Sequence, residues 1–139
     1  MNPSLSRQRY EDTLVTLLRL ALALIFVWFG LLKIFGYNPV FDLIDAVTPF
    51  LAEGVGLVLL GIFETLIGIG LALNRVRPVV HALLLLHLTG TFLTFITGLE
   101  VVFQPHFPIL SLDGEFVVKN SALAIAGLVV LLHQRSRRS

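Results

Sequence analysis

Residues 14–35 read LVTLLRLALALIFVWFGLLKIF, an apolar stretch that decides the fold of this chain. At 1.5 Å of rise per residue, a helix of that length crosses a hydrocarbon core about 30 Å thick. Including this one, four stretches of 17–22 residues are apolar enough to span: Leu14–Phe35, Gly54–Leu73, Val79–Thr97 and Phe116–Leu132. The sequence therefore predicts an all-α, four-helix transmembrane bundle, with residues 1–139 forming a single membrane domain.

The composition supports lipid as the main solvent of this chain. It is 56% hydrophobic and 14% charged, whereas soluble domains are about 45–50% apolar and about 25% charged. A net charge of +1 gives no indication of nucleic-acid binding. The chain has no cysteine, which excludes disulfides, thiolate metal sites and thiol–disulfide chemistry carried by its own residues.

The charges between the spans alternate in sign and predict the orientation of the bundle. One set of flanks is basic: Arg7, Arg9, Arg75, Arg77, Arg135, Arg137 and Arg138. The opposite loops are acidic: Asp42, Asp45, Glu53, Glu100, Asp113 and Glu115. Because cytoplasmic loops are enriched in Lys and Arg, both termini are predicted to be cytoplasmic.

Some ionisable residues lie within the spans, where they usually face protein or a water-filled cavity. Glu64 is near the middle of the second span, and Gly61 and Gly68 share its face, so we expect it to point into the bundle against a closely packed helix. Arg19 and Lys33 share one face of the first span. We predict Arg19 as the partner of Glu64, since Lys33 lies at the outer edge.

The third span adds a polar stripe that includes His87, Thr91 and Thr94. With the first two spans it predicts a buried polar cluster: Arg19, Glu64, His87, Thr91 and Thr94. The cluster has a plainer interpretation, in which the charges form a structural ion pair, the histidine is an ordinary core residue and the threonines bond their own helix. On the fourth span, Lys119, Ala122 and Ala126 are predicted to form the inward face.

Residues 103–120, before and at the start of the fourth span, contain two prolines and several apolar side chains. Ser111 or Asp113 is predicted to cap the N-terminus of the fourth helix. The stretch is predicted to be a re-entrant or interfacial segment at the outer surface. It either plugs the bundle or covers a site. The candidate residues of that outer-surface site are Lys33, His106, Ser111, Lys119 and Asn120, and no metal site is predicted.

Several of these residues resemble the DoxX-like family of bacterial inner-membrane proteins, most closely its reactive-chlorine-resistance branch. The resemblance rests on Arg19-Leu, on Trp28-x-Gly-x-x-Lys33 with Tyr37 and Pro49 after it, on Glu64 in the second helix, and on FPILSxxGxFVVK, residues 107–119. The outer loops are shorter than in that branch, and Asn120 replaces its Asp.

The resemblance implies two kinds of role, because some relatives are membrane subunits of a thiosulfate:quinone oxidoreductase and others act in oxidative- or chlorine-stress responses. The first hypothesis is an accessory protein of such a system that binds a quinone or a soluble redox partner. On this hypothesis we expect the chain not to act as an enzyme alone, since no side chain here holds electrons, and a membrane subunit of a quinone-linked oxidoreductase stays open as a role. The alternative is a small homo-oligomeric transporter or proton- or ion-conducting bundle, with Glu64 and the threonines lining a pathway.

Overall fold

The computed structural model describes residues 3–75 and 77–136, and this part of the chain is helical without a β-strand. The helices are α1 (Pro3–Ile34), α2 (Phe41–Asp45), α3 (Gly54–Leu73), α4 (Arg77–Phe92), α5 (Thr94–Thr97), α6 (Leu99–Val102) and α7 (Leu112–Ser136), with a 3-10 turn at Pro49–Leu51.

Within those residues, four helical segments are long and apolar enough to cross a membrane: Ser6–Ile34, Gly54–Leu73, Arg77–Thr97 and Leu112–Ser136. The predicted all-α four-helix bundle is therefore confirmed, and the chain is a multi-pass membrane protein. Large apolar side chains cover its outside, including Leu24, Trp28, Leu66 and Leu86, each at least 60% exposed. We call the end that carries Arg75, Arg77 and Arg135 the arginine end, and the opposite end the loop end. Arg137 and Arg138 lie outside the described residues.

Two spans are longer than predicted, and one is interrupted. α1 begins at Pro3 rather than Leu14, because its polar first turns continue the helix with an Arg7–Glu11 ion pair at 3.0 Å. α7 starts and ends four residues beyond the predicted limits. The third span breaks at Leu93, whose amide donates to the carbonyls of both Thr89 and Gly90 and so tightens the helix locally.

The closest helix packing joins α1 to α3 through glycines. A Cβ atom on Gly30 would lie 2.6 Å from the Gly61 carbonyl oxygen, and one on Gly68 would lie 2.7 Å from the Val27 nitrogen. Backbones approach this closely only where the side chain is absent. The predicted close contact along the Gly61–Gly68 face of Glu64 is therefore confirmed.

The inward face of α7 differs from the predicted one. Lys119 and Ala122 are exposed, while Val117, Asn120, Gly127 and Val130 are buried. The reason is the contact with α4: Leu84 fits against Gly127, where a Cβ atom would lie 2.7 Å from its Cδ2. The predicted face is thus wrong for Lys119 and Ala122, whereas Ala126 is half-buried and packs against the core.

The loop end is closed by the two long connections. α2 packs Leu43 into a small cluster with Val40 and Val117. The segment before α7 folds back so that Phe103 and Leu110 form an isolated β-bridge, and its peptide bonds before Pro105 and Pro108 are cis. Phe107 and Ile109 stay exposed, as expected for a segment at a membrane interface.

Candidate functional site

The inner face of α1 carries two cations, as the sequence predicted. Arg19, Ala23, Phe26, Gly30 and Lys33 are all buried on one side of the helix. This spacing of three and four residues repeats nearly once per turn, so the side chains form a stripe along the bundle interior.

Glu64 pairs with Lys33, and the predicted pairing with Arg19 is wrong. Lys33 Nζ donates to Glu64 Oε2 at 2.7 Å, and the two side chains are 3% and 6% exposed. The Cβ of Lys33 lies against Gly61, one turn of α3 from Glu64, so its flexible stem reaches the carboxylate from the loop end. Lys33 is therefore an interior residue and not an edge residue.

Arg19 lies two turns of α3 away from Glu64, at the arginine end. Its Nη1 donates to the carbonyl oxygens of Leu71 and Ala72, the latter at 2.8 Å. These belong to the last turn of α3, where carbonyl groups have no partner within the helix. Arg19 therefore caps α3, and it is not part of the polar cluster around Glu64.

His87 joins the Lys33–Glu64 pair from α4. Its Nε2 lies 3.3 Å from Glu64 Oε1, on the carboxylate oxygen that Lys33 does not bind. Its ring packs edge-on against Phe26 at 5.4 Å between centroids and lies 6.2 Å from the centroid of Phe63. An imidazole and an ammonium group thus converge on one buried carboxylate.

A cavity of about 80 Å³ lies beside these three residues. Asn120 of α7 and Thr91 of α4 also line it, and its apolar wall includes Phe26, Phe29 and Phe116. We call this space the inner cavity. It combines hydrogen-bond donors on Lys33 and Asn120 with aromatic rings.

A larger, mostly apolar groove of about 350 Å³ adjoins the inner cavity. His87 and Thr91 line both spaces, together with Leu43, Ile44 and Leu60. Leu59 and Leu86 on the groove's rim are 58% and 64% exposed, on the surface that faces lipid. Apolar pockets with a few convergent polar groups are typical ligand sites. A lipid-soluble molecule in the groove could present a polar head to His87 and the pair behind it.

The threonines take the plainer of the two predicted roles. Thr91 Oγ1 donates to the His87 carbonyl at 3.4 Å and Thr94 Oγ1 to the Thr91 carbonyl at 2.8 Å, both within the same span. Thr94 is fully buried and does not line the inner cavity. The hydroxyl groups of Thr91 and Thr94 therefore bond to the backbone of their own span, and they give no support to a conducting pathway.

The predicted outer-surface site is divided by the structure. Lys33 and Asn120 line the inner cavity. Ser111 instead accepts a hydrogen bond at 2.9 Å from the Gly114 amide and so caps α7. His106 is exposed, and Lys119 points outward to Glu115 at 2.7 Å. These five residues do not form one site.

Sequence reasoning placed Phe26 in the interior but missed Phe29 and Phe116 of the aromatic wall and the inner position of Asn120. The signal for Asn120 was its spacing from Val117, Gly127 and Val130, which together form the buried stripe of α7.

Among residues 3–75 and 77–136 there is no group of three His, Cys, Asp or Glu that could hold a metal ion.

No protein-family model matches this chain, and neither a curated protein nor a solved structure matches it significantly. The class of protein is therefore defined by its own geometry. It is a multi-pass membrane bundle with a buried lysine–glutamate–histidine cluster next to a lipid-facing groove.

Proposed function

We propose that this chain is a DoxX-like protein and that it binds a quinone, or a similarly lipophilic carbonyl compound, within its bundle. It would do so as an accessory component of a redox or oxidative- or chlorine-stress system of the bacterial inner membrane. The single observation that carries the proposal is the junction at His87, where the inner cavity with Lys33 and Glu64 meets the apolar groove.

The chemistry of the junction suits a ligand with a polar ring and an apolar tail. A carbonyl oxygen can accept hydrogen bonds from an ammonium group, an imidazole N–H or a carboxamide, which are the groups of Lys33, His87 and Asn120. The rings of Phe26, Phe29 and Phe63 offer stacking surfaces. The groove, with Leu59 and Leu86 at its rim, would hold the tail in contact with lipid.

The arginine distribution supports a cytoplasmic arginine end, with both termini inside. The groove would then open to the outer leaflet. Because no side chain of this chain carries electrons, electron transfer to a bound quinone would need a soluble redox partner or a cofactor. The protein would thus present or protect the ligand rather than reduce it alone.

Quinone binding by the purified chain in lipid nanodiscs tests the proposal. A short-chain ubiquinone should bind the wild type, and Lys33→Met combined with Glu64→Leu should weaken binding at least tenfold, since two polar groups are lost. The matched control is Lys119→Met with Glu115→Leu, which removes the exposed pair and should leave binding unchanged.

Two results would contradict the proposal. One is quinone uptake by the wild type no greater than by empty nanodiscs. The other is equal loss of binding in the two double variants. The stress role is tested in cells that are exposed to hypochlorite or peroxide. Cells that carry Glu64→Gln should survive less well than wild-type cells, whereas cells that carry Lys119→Ala should survive equally well.

A further inference from the structure

A second polar pocket lies at the arginine end, far from the inner cavity. It has a volume of about 200 Å³ and is enclosed by α1, the α3–α4 turn, the start of α4 and the end of α7. Arg19 and Arg77 both line it, together with Asn74 at the end of α3. None of these residues belongs to the quinone site proposed above.

Backbone carbonyl groups hold both guanidinium groups in place. Arg19 is held through Nη1 by the last carbonyls of α3, and Arg77 Nε donates to the Asn74 carbonyl at 3.2 Å. For the described residues, the ion pairs within 4.0 Å include neither arginine. The Nε and Nη2 groups of Arg19, and both Nη groups of Arg77, make no hydrogen bond within this described set.

One carboxylate, that of Asp12, also lines the pocket, and it contacts a histidine there. Asp12 Oδ1 lies 2.7 Å from His133 Nε2, on the α7 side of the pocket. The pocket therefore holds two fixed cations beside an aspartate that already contacts a histidine. Arginine forks of this kind recognise phosphate through paired N–H groups.

We propose that this pocket binds a phosphate group with a net negative charge, carried by an anionic lipid headgroup or present as inorganic phosphate. Apolar Leu17 and Leu73, 58% and 62% exposed, lie at the same end, so acyl chains can lie beside a headgroup held there. Basic pockets between transmembrane helices are known to bind anionic headgroups. The site would fix the depth and rotation of α1 against α3 in the membrane.

Native mass spectrometry of the full chain, with phosphatidylglycerol or phosphatidylcholine added, tests this site. The wild type should prefer phosphatidylglycerol, because choline offsets the phosphate charge. Arg77→Gln should weaken phosphatidylglycerol binding about tenfold, as expected for the loss of a charge-assisted contact. Arg75→Gln is the matched control: it removes the same charge two residues away, from an exposed side chain outside the pocket.

A second arm titrates inorganic phosphate into detergent-solubilised protein without added lipid. Phosphate binding that depends on Arg77 identifies free phosphate as a ligand, and binding of phosphatidylglycerol alone identifies the lipid. Should Arg77→Gln not fold, Arg77→Lys keeps the charge, loses the planar fork and should still weaken binding. Equal effects of the Arg75 and Arg77 substitutions, or no preference for phosphatidylglycerol and no phosphate binding, would overturn the proposal.

Discussion

The described part of the chain contains two lysine–glutamate ion pairs with the same geometry and opposite surroundings. Lys33–Glu64 and Lys119–Glu115 both measure 2.7 Å between Nζ and the carboxylate oxygen. The first joins α1 to α3 with both side chains at most 6% exposed, and the second joins neighbouring turns of α7 with side chains 73% and 49% exposed. The two pairs therefore have the same N–O distance, but we expect their removal to change the stability of the protein by different amounts.

The difference is one of solvation. Removing two charges from water costs several kcal/mol per ion, and their attraction offsets this cost only while both partners remain. An exposed pair exchanges its partner for water at little cost. A buried pair is also weak grounds for stability as such. The burial of Lys33–Glu64 beside the inner cavity is therefore not by itself evidence that the pair adds to the stability of the fold.

The largest expected effect is that of Lys33→Met. The substitution keeps the length of the stem but leaves the Glu64 carboxylate buried, with His87 as its remaining ion-pair partner among the described residues. Loss of one partner of a buried pair destabilises by about 3–5 kcal/mol. Denaturant unfolding of the purified protein in detergent should show this loss. A shift no larger than that of Lys119→Met would mean that water or lipid headgroups reach Glu64.

Gly61→Ala should have the next largest effect, because it disturbs the contact that positions the pair. Its Cβ atom would lie 2.6 Å from the Gly30 carbonyl oxygen and 2.9 Å from the Lys33 Cβ. Forcing apart packed helices costs about 1–3 kcal/mol. Gly90→Ala is the control, since an added Cβ there meets nothing within 4 Å. Similar unfolding midpoints for the two variants would show that α1 and α3 are less closely packed.

The sequence predicted the four spans and the burial of Glu64, but it did not predict which cation pairs with Glu64. Span positions and the buried stripe of α1 follow from hydropathy and helical period, which are properties of one segment. The choice of Lys33 over Arg19 depends on the relative height of α1 and α3, and so on the Gly30–Gly61 contact between distant segments. The rotation of α7 was mispredicted because lipid-facing and core-facing sides are both apolar, and periodicity then distinguishes them poorly.

The double substitution Lys33→Met with Glu64→Leu should restore most of the stability lost in Lys33→Met. Replacement of a whole buried pair by apolar residues of similar volume is often neutral or stabilising. We expect an unfolding free energy within about 1 kcal/mol of wild type, with a coupling energy between the two sites that a double-mutant cycle measures directly. Failure to recover would indicate that the pair is itself required for packing around His87.

Lys119→Ala should have the smallest effect on stability. The salt dependence of that effect is the informative measurement. Both members of this pair are solvent-accessible, so screening by added salt weakens their attraction, while the buried pair is screened much less. The unfolding midpoint of Lys119→Ala should equal that of wild type at high ionic strength and differ from it, if at all, only at low ionic strength. A clear difference that persists at 1 M salt, where the screening length is about 3 Å, would mean that Lys119 contacts a group besides Glu115 in the membrane.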